Sequence, residues 1–472
     1  MTSFTPVSSV FGTSPADPDA TWDPGSWQSF PAAQQPDWPE PERLAQTVDQ
    51  LALLPPLVSG VESARLREAL GAAAAGQGFL LQAGDCAESL RSFHAESVHH
   101  KVKVILQMAT ILAFGSGLPV IKVGRIAGQM AKPRSNPVEP VDGPDGPLVV
   151  PSYRGDMVNG SAPTPEARRP DPDRLLRAYY QSAASLNLLR TFTEHGFATL
   201  DEVHAWNRQY VGRTSERPSS DQRYVSLIDD MEHVVRYLGS HPGARTSELP
   251  DRGFDFFTSH EALILPYEQA LTRWDPATGH WQDTSAHMVW IGERTRQLDG
   301  AHVEFAAGID NPIGVKVGPG MTPEELLALC TRLDPTGLPG RLTLITRMGA
   351  GRIREALPPL VRAVREAGHP VLWVCDPMHG NTFTGESGLK TRRFADILDE
   401  LRGFFEVHRS EGTHPGGVHL ELTGEDVTEC LGGSPEILDA HLATRYETAC
   451  DPRLNRTQAL ELAFLTAEML QR

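Results

Sequence analysis

Eight short runs of apolar and β-branched residues recur along the chain from residue 78 onwards. Each run ends in polar or charged residues and leads into a stretch with the three- and four-residue spacing of a helix. Continuous apolar runs are typical of strands covered on both faces, and their alternation with helices favours parallel pairing. The runs span residues 78–86, 119–128, 255–261, 287–294, 312–319, 341–349, 370–380 and 416–425.

Eight strand–helix units in succession predict an α/β fold of the (β/α)8, or TIM barrel, class. The intervening helices have recognisable starts: "TPEELLALCTRLD" opens with a capping box from Thr322 to Glu325. The third run has the weakest strand pattern. The segment between the second and third runs contains helical patterns near residues 173–196 and 221–239. We therefore expect a large helical insertion after strand 2, at about residues 160–250.

The first 40 residues differ from the rest, since they are rich in Pro, Ser, Asp and Trp and show no helical or strand period. We interpret the first 20 as disordered and the remainder as an extended arm. The arm is either solvated or packed through its Trp residues on a neighbouring subunit. The second alternative would remove the large apolar Trp side chains from water. The predicted organisation is a partly disordered N-terminal extension, 1–40, followed by a single barrel domain, 41–472.

Charge and composition narrow the classes of partner. The formal net charge of −17 disfavours nucleic-acid and anionic-membrane partners, which require a basic face. No apolar run approaches the roughly 20 residues that span a bilayer, and the start of the chain has no secretory signal pattern. Five cysteines at irregular spacing favour a reducing, cytoplasmic compartment. Phosphorylated substrates fit this charge only where cations are concentrated locally.

Cations are indeed concentrated at the ends of the predicted strands. The active site of a TIM barrel forms at the carboxyl ends of its strands, so these side chains should converge on one mouth. Arginine forks and lysine point charges together suit a phosphate and a carboxylate. The residues are Arg125, Lys132, Arg134, Arg294, Lys316 and Arg347.

Metal-ligating residue types occupy similar positions. A thiolate, an imidazole and two carboxylates could hold a divalent ion with positions left open for substrate. These candidates are Cys86, His379, Glu421 and Asp451. His419 is a rival ligand, because residues two apart in a strand point to the same face. In "VLWVCDPMHGNT", Cys375 could join His379 as a ligand or be a buried packing residue of the seventh strand.

Long motifs occur in order along the chain, among them "LLQAGDCAES", "KVGRIAGQMAKPRS", "HMVWIGERTRQLDGAH", "CDPMHGNT", "HPGGVHLELTGEDVTECLGG" and "YETACDPRLN". From about Pro31 to Arg472 the chain closely resembles the type II 3-deoxy-D-arabino-heptulosonate 7-phosphate (DAHP) synthases. The resemblance implies a transferase that condenses phosphoenolpyruvate with D-erythrose 4-phosphate and water, giving DAHP and phosphate. This is the first step of the shikimate pathway.

The resemblance also implies roles for individual residues. Its metal ligands correspond to Cys86, His379, Glu421 and Asp451, so His419 loses its claim and Cys375 is expected to be a packing residue. Its phosphoenolpyruvate site corresponds to Arg125, Lys132, Glu293, Arg294, Lys316 and Arg347, the last two as phosphate contacts. Its erythrose 4-phosphate site corresponds to Lys132, Pro133, Arg134, Ser135 and Arg294. The catalytic residues are expected to be Lys132, Cys86 and His379, with Lys132 as general acid.

Cofactors, partners and regulation follow from the same resemblance. It implies Mn²⁺ or Co²⁺, with Zn²⁺ as a further candidate, and a homo-oligomer that is a dimer or tetramer. Type II enzymes are often inhibited by aromatic amino acids, and some associate with chorismate mutase. This chain departs from the family pattern at "RMGAGR" and "AGQM", both beside the expected site, which bears on regulation and substrate preference.

Three alternatives stay open at this point. The chain could be a secondary-metabolism paralogue that feeds an aromatic antibiotic precursor. A non-catalytic regulatory subunit is disfavoured, because every mapped metal and phosphate position is filled. Finally, Cys450 directly precedes Asp451 and could form a disulfide with Cys86 that ejects the metal, or be a buried free thiol.

Overall fold

The computed structural model of the protein describes residues 22–143, 146–194, 200–214, 225–229, 231–232 and 255–471. The predicted disorder of the first 20 residues lies outside this range. So does most of the helical pattern near residues 221–239, of which residues 225–229 and 231–232 are helical.

Eight parallel strands form a closed barrel in which each strand pairs with its neighbours in chain order and the last pairs with the first. Every strand falls inside one of the predicted runs, including the weakly patterned third, so the prediction of a TIM barrel is confirmed. The strands are β1 (Phe79–Gly84), β2 (Val120–Arg125), β3 (Phe256–Glu261), β4 (Met288–Ile291), β5 (Ile313–Val317), β6 (Leu342–Thr346), β7 (Leu372–Cys375) and β8 (Gly417–Glu421).

Helices surround the barrel and precede it. The predicted capping box at Thr322 and Glu325 is present, with the hydroxyl and the carboxylate each accepting from the other residue's backbone N–H. The helices are α1 (Pro41–Ala52), α2 (Gly60–Ala74), α3 (Ala95–Ser116), α4 (Pro165–Arg168), α5 (Asp173–Glu194), α6 (Leu200–Thr214), α7 (Leu265–Leu271), α8 (Ala301–Gly308), α9 (Pro323–Leu333), α10 (Ile353–Ala367), α11 (Phe394–Glu411) and α12 (Arg456–Leu470).

Two hydrophobic layers explain why the strands are apolar at nearly every position. In β7, Leu372 and Val374 pack inside the barrel, whereas Trp373 and Cys375 pack outwards against the helices. Leu66 and Leu70 of α2 belong to the inner layer. Because α2 packs on the residues that begin the strands, the amino end of the barrel is filled with apolar side chains. The carboxyl end of the barrel is therefore available for polar side chains.

The insertion after β2 contains more than helices. Helix α5 agrees with the pattern predicted near residues 173–196, whereas α6 was not predicted. A hairpin of two antiparallel strands, Val138–Gly143 and Gly146–Pro151, precedes them and was also missed. Two further hairpins lie elsewhere, Thr272–Asp275 with His280–Asp283 and Phe383–Thr384 with Lys390–Thr391.

The N-terminal arm packs on the barrel of its own chain, an arrangement that the sequence analysis did not consider. The indole N–H of Trp22 donates to the carbonyl of Glu304 at 3.1 Å, and that of Trp27 donates to Gln269 at 2.9 Å. A Cβ atom at Gly308 would lie 1.9 Å from the Trp22 ring, so only glycine lets the indole seat on α8. Among the described residues, no helix has both the length and the apolar character needed to cross a bilayer.

Candidate metal centre and substrate cavity

A cavity of about 440 Å³ opens at the carboxyl ends of the strands. It collects side chains from five different strand ends and from the segment after β2, as the strand pattern predicted. The predicted site residues that line it are Lys132, Pro133, Arg134, Ser135, Glu293, Arg294, Lys316, Arg347, His379 and Asp451. The other three, Cys86, Arg125 and Glu421, are fully buried behind it.

Three of the four predicted ligands form one compact group. The ligand atoms of Cys86, Glu421 and Asp451 all lie within 4.8 Å of one another. Barrel closure explains the first two, since β1 pairs with β8 in a register that places Gly84 opposite Glu421. Asp451 joins them because its backbone N–H donates to the Cys86 sulfur at 3.2 Å.

His379 lies beside this group. Its Nε2 atom is 3.1 Å from Glu421 Oε1, although it falls outside the set of mutually close ligand atoms. Its Nδ1 atom is 2.7 Å from Asp376 Oδ2, and Asp376 Oδ1 accepts the backbone N–H of Met378 and of His379 itself. A carboxylate bound to the far ring nitrogen fixes the orientation of a ligating imidazole. The arrangement leaves Nε2 directed towards Glu421.

The electrostatics keep the carboxylates of this centre ionised. Burial alone would raise the pKa of Glu421, but His379, Lys132 and Arg392 outweigh it and hold that pKa well below the usual range. Arg392, itself fully buried, donates to Glu421 at 2.8 Å. The pKa of Asp451 is likewise lowered, against its burial, chiefly by Lys132. A thiol and two carboxylates in one cluster, with an imidazole beside them, form a donor set that fits a borderline divalent ion.

Cys86 and Cys450 are in contact as thiols. Both are free and buried, and the two side chains share a hydrogen bond. Burial raises the pKa of Cys86 well above its ordinary value, so the ligand-competent thiolate requires a cation beside it. An 86–450 disulfide stays a prediction.

Lys132 occupies the junction between the metal centre and the cavity. Its Nζ atom is 3.0 Å from Glu421, 3.2 Å from Asp451 and 3.4 Å from His379 Nε2. Burial alone would lower the pKa of Lys132, but the surrounding anions raise it well above its ordinary value. The side chain is therefore an ammonium held at the edge of the ligand group.

The remaining cations occupy different depths. Lys316 is buried over the face of Trp290 and pairs with Asp376, and burial lowers its pKa to about 8. Arg347 donates to the carbonyl of His379 at 3.3 Å. Arg294 is exposed at the rim, where it contacts Ser135. The cavity thus has a buried cation in its interior and an exposed cation at its rim.

The two ambiguous residues of the sequence lie apart from the ligand group. Cys375 belongs to the outer hydrophobic layer. Both ring nitrogens of His419 already have partners inside the barrel, Gln82 and Arg125. That neither residue is a metal ligand stays a prediction.

Sequence reasoning missed a carboxylate in the cavity. Glu261 ends β3 and lines the cavity, and its Oε1 atom is buried with no hydrogen-bond partner among the described residues. Burial raises its pKa, against the pull of Lys132 and Lys316. The available signal was its position at the end of "DFFTSHE", the weakest predicted strand.

The family model and two curated relatives indicate the same family. A family model described as the Class-II DAHP synthetase family matches residues 22–467. Phospho-2-dehydro-3-deoxyheptonate aldolase of Streptomyces coelicolor is 53% identical over 444 residues, covering 94% of this chain and 96% of the relative. Phospho-2-dehydro-3-deoxyheptonate aldolase AroG of Mycolicibacterium smegmatis is 50% identical over 447 residues, 93% of each chain. A solved structure of DAHP synthase from Thermotoga maritima covers 82% of this chain and 67% of its own, with 14% identity and a TM-score of 0.36.

Proposed function

The chain belongs to the class-II DAHP synthetase family and condenses phosphoenolpyruvate with D-erythrose 4-phosphate, and we propose that the centre and cavity described above perform this reaction. The observation that carries the proposal is that three clustered ligand residues, with His379 beside them, meet buried cations at one barrel mouth. Neither the apolar amino end of the barrel nor its helix layer offers such a combination within the described part of the chain.

The enzyme depends on a divalent metal, and its ligands in this proposal are Cys86, His379, Glu421 and Asp451. When bound, the ion supplies a Lewis acid that polarises the aldehyde oxygen of erythrose 4-phosphate. We propose Mn²⁺ or Co²⁺, because the set mixes one soft sulfur with nitrogen and oxygen, and Zn²⁺ is a further candidate for the same reason.

Phosphoenolpyruvate takes the deeper part of the cavity in this proposal. Lys316 and Arg347 bind its phosphate, since a buried ammonium and a guanidinium fork suit that group. The other proposed contacts are Lys132, Glu293 and Arg294, which line the cavity, and Arg125, which is buried behind it. Erythrose 4-phosphate lies towards the rim, where its contacts are Lys132, Pro133, Arg134, Ser135 and Arg294.

Lys132 is the proton donor of the proposed reaction. C3 of phosphoenolpyruvate attacks the aldehyde carbon, and the ammonium of Lys132 gives its proton to the oxygen that becomes a hydroxyl. Its raised pKa keeps the proton in place until negative charge develops beside it. Water then adds to C2, and phosphate leaves by cleavage of its C–O bond.

Glu261 is suited to accept the proton of that water. Its carboxylate faces the cavity and has a free buried oxygen, so a water molecule bound there would meet an acceptor of raised basicity. The geometry also explains Gly292, because a Cβ atom there would lie 2.1 Å from Glu261 Oε1. A side chain at residue 292 would displace the acceptor.

The test uses chelator-treated protein and both substrates. Phosphate release should require an added divalent ion and should stop when either substrate is omitted. Release of phosphate by metal-free protein at the same rate would contradict the assignment of a metal centre. The Lys132→Met variant should retain Mn²⁺ binding but lose more than about 100-fold in kcat, since general acid catalysis contributes on that scale.

We further propose that the enzyme is a homo-oligomer, either dimer or tetramer, that aromatic amino acids inhibit it and that chorismate mutase is a candidate partner. Inhibition by Trp, Phe and Tyr together would support a role in amino-acid biosynthesis. Insensitivity to all three would instead favour the paralogue that feeds a secondary product. Sedimentation with and without chorismate mutase tests the assembly.

A further inference from the structure

The loops that follow β6 and β7 touch backbone to backbone. A Cβ atom at Gly380 would lie only 2.4 Å from the backbone nitrogen of Gly349. Gly349 itself has φ +84°, in the left-handed region that favours glycine. Glycine at both positions therefore allows a contact that side chains would prevent, and the two loops act as one unit.

A buried carboxylate from the helix layer joins these loops. Glu400 of α11 is fully buried, and its Oε1 atom accepts the backbone N–H of Met348 at 2.8 Å and of Gly349 at 2.9 Å. Its Oε2 atom accepts from the amide of Asn381 at 2.7 Å. Asn381 completes the link, because its own Oδ1 accepts the backbone N–H of Ala350 at 3.0 Å.

This arrangement is costly for the fold. None of the ion pairs found within the described part of the chain includes Glu400, so only hydrogen bonds stabilise the ionised form of its carboxyl. Burial raises its pKa to about 8. A buried carboxylate without a cation destabilises a protein relative to an apolar side chain of similar size. Packing of α11 therefore gives no reason for a glutamate at this position.

The residues that the link holds are the ones that face the cavity. Arg347 directly precedes Met348, and His379 lies two residues before Asn381. Arg347 and His379 also contact each other through the carbonyl of His379. Moving either loop would change the spacing between the guanidinium and the imidazole.

We propose that Glu400 is a positioning residue for the synthase reaction, which fixes the distance between Arg347 and His379 by holding the β6 and β7 loops together. The proposal rests on the proposed roles of Arg347 as a phosphate contact and of His379 as a metal ligand. Glu400 itself does not line the cavity and touches no substrate.

The first test is Glu400→Gln, which preserves size and replaces the oxygen that accepts from Asn381 with an NH₂ group. A glutamine that keeps both backbone bonds turns its NH₂ group towards the NH₂ group of Asn381, so the link opens. We expect KM for phosphoenolpyruvate to rise about tenfold with a smaller change in kcat. Substitution of a residue that supports a ligand typically lowers metal affinity or activity 10- to 100-fold. Glu406→Gln is the matched control, since Glu406 lies on the same helix in an exposed ion pair with Arg354, and it should leave both constants unchanged.

Metal binding supplies a readout independent of turnover. Metal-free protein is titrated with Co²⁺ alone, and the absorption of the thiolate–cobalt bond is followed. Glu400→Gln should weaken Co²⁺ binding about tenfold, whereas Glu406→Gln should not. Asn381→Ala opens the same link from a less buried position and should reproduce both effects if Glu400→Gln does not fold.

The outcomes distinguish a wrong positioning role of Glu400 from a wrong phosphate contact at Arg347. Arg347→Ala serves as the reference for the phosphate contact. If it raises KM for phosphoenolpyruvate while folded Glu400→Gln and Asn381→Ala keep wild-type KM and Co²⁺ affinity, the positioning role of Glu400 is wrong and the proposed function stands. If Arg347→Ala leaves that KM unchanged, the proposed phosphate contact is wrong, and the positioning role fails with it.

Discussion

Cys86 and Cys375 are both fully buried cysteines near strand ends, yet their surroundings give them opposite roles. Cys86 follows β1 and faces Glu421 and Asp451. Cys375 ends β7 with its side chain turned outwards into the helix layer. The direction of the side chain, rather than distance along the chain from His379, decides which thiol lies beside the other proposed ligands.

Serine substitutions test this distinction. Cys86→Ser should lower Co²⁺ affinity at least tenfold and abolish the thiolate–cobalt absorption, because the hydroxyl stays protonated and is a poor ligand for this ion. Cys375→Ser should keep both and cost at most about 2 kcal/mol of unfolding free energy, the scale for burying a hydroxyl. Loss of the absorption in Cys375→Ser would contradict the assignment.

Glu261 offers a second prediction for a single residue. Glu261→Gln preserves the shape of the cavity but removes the proton acceptor, so kcat should fall about 100-fold, within the range for a general base. KM for erythrose 4-phosphate should change little, since its proposed contacts lie at the rim. Steady-state kinetics of the Glu261→Asp variant supply the control, because this variant keeps a carboxylate and should retain more of kcat than Glu261→Gln. Equal kcat in the wild type and in Glu261→Gln would rule out the role of proton acceptor.

The sequence could place first-contact residues but not the residues behind them. Arg347 and Glu421 were predicted because each lies at the end of an apolar run, a position with fixed meaning in a barrel. Asp376 follows β7 as Arg347 follows β6, so that signal was present but was missed. Glu400 gave no such signal, since a carboxylate in a helix is usually solvated. The importance of both carboxylates depends on which backbone and side-chain groups meet them after folding.

At the scale of elements, the hairpin Val138–Gly143 with Gly146–Pro151 shows where pattern reading failed. Proline at residues 137, 140, 147 and 151 interrupts the alternation expected of strands. The hairpin forms nevertheless and contributes Val138, Glu139 and Pro140 to the cavity wall. Arg134 and Arg168 both pair with Glu139, which ties the hairpin to the cavity rim.

The N-terminal arm allows a test of how one element is held. Gly308→Ala places a methyl group inside the Trp22 ring position, so the arm should detach from α8. We expect faster proteolytic cleavage within residues 22–40 and a red shift of Trp fluorescence. Gly320→Ala is the control, because a Cβ atom there meets nothing within 4 Å. Equal cleavage rates in both variants would contradict the proposed anchoring.

At the scale of the whole molecule, the cations of the cavity stand out against the negative net charge of the chain. The chain has a net charge of −17, yet its cavity collects Lys132, Arg134, Arg294, Lys316 and Arg347. Anionic substrates are thus attracted only at short range, where the local cations exceed the distant acidic surface. The net charge predicted that cations must be concentrated locally, and the strand pattern predicted that they lie at the carboxyl ends of the strands.

Metal binding should also stabilise the whole fold. The proposed ligands come from β8 and from the segments that follow β1, β7 and β8, so the ion should bind only the closed barrel. At a free concentration of about 1,000 times Kd, linkage adds about 4 kcal/mol to the unfolding free energy. Calorimetry with and without Mn²⁺ should show the increase in the wild type. An equal increase in Glu421→Gln would place the stabilising ion elsewhere.

The pairing of β1 with β8 has a consequence for how the protein is made. Cys86 leaves the ribosome early, whereas Glu421 and Asp451 emerge near the end of synthesis. No nascent chain shorter than 451 residues contains the complete proposed ligand set, so an ion cannot bind that set until synthesis is nearly finished. In the proposed centre, metal selection is therefore left to the nearly complete barrel and to the divalent ions that the cell then supplies.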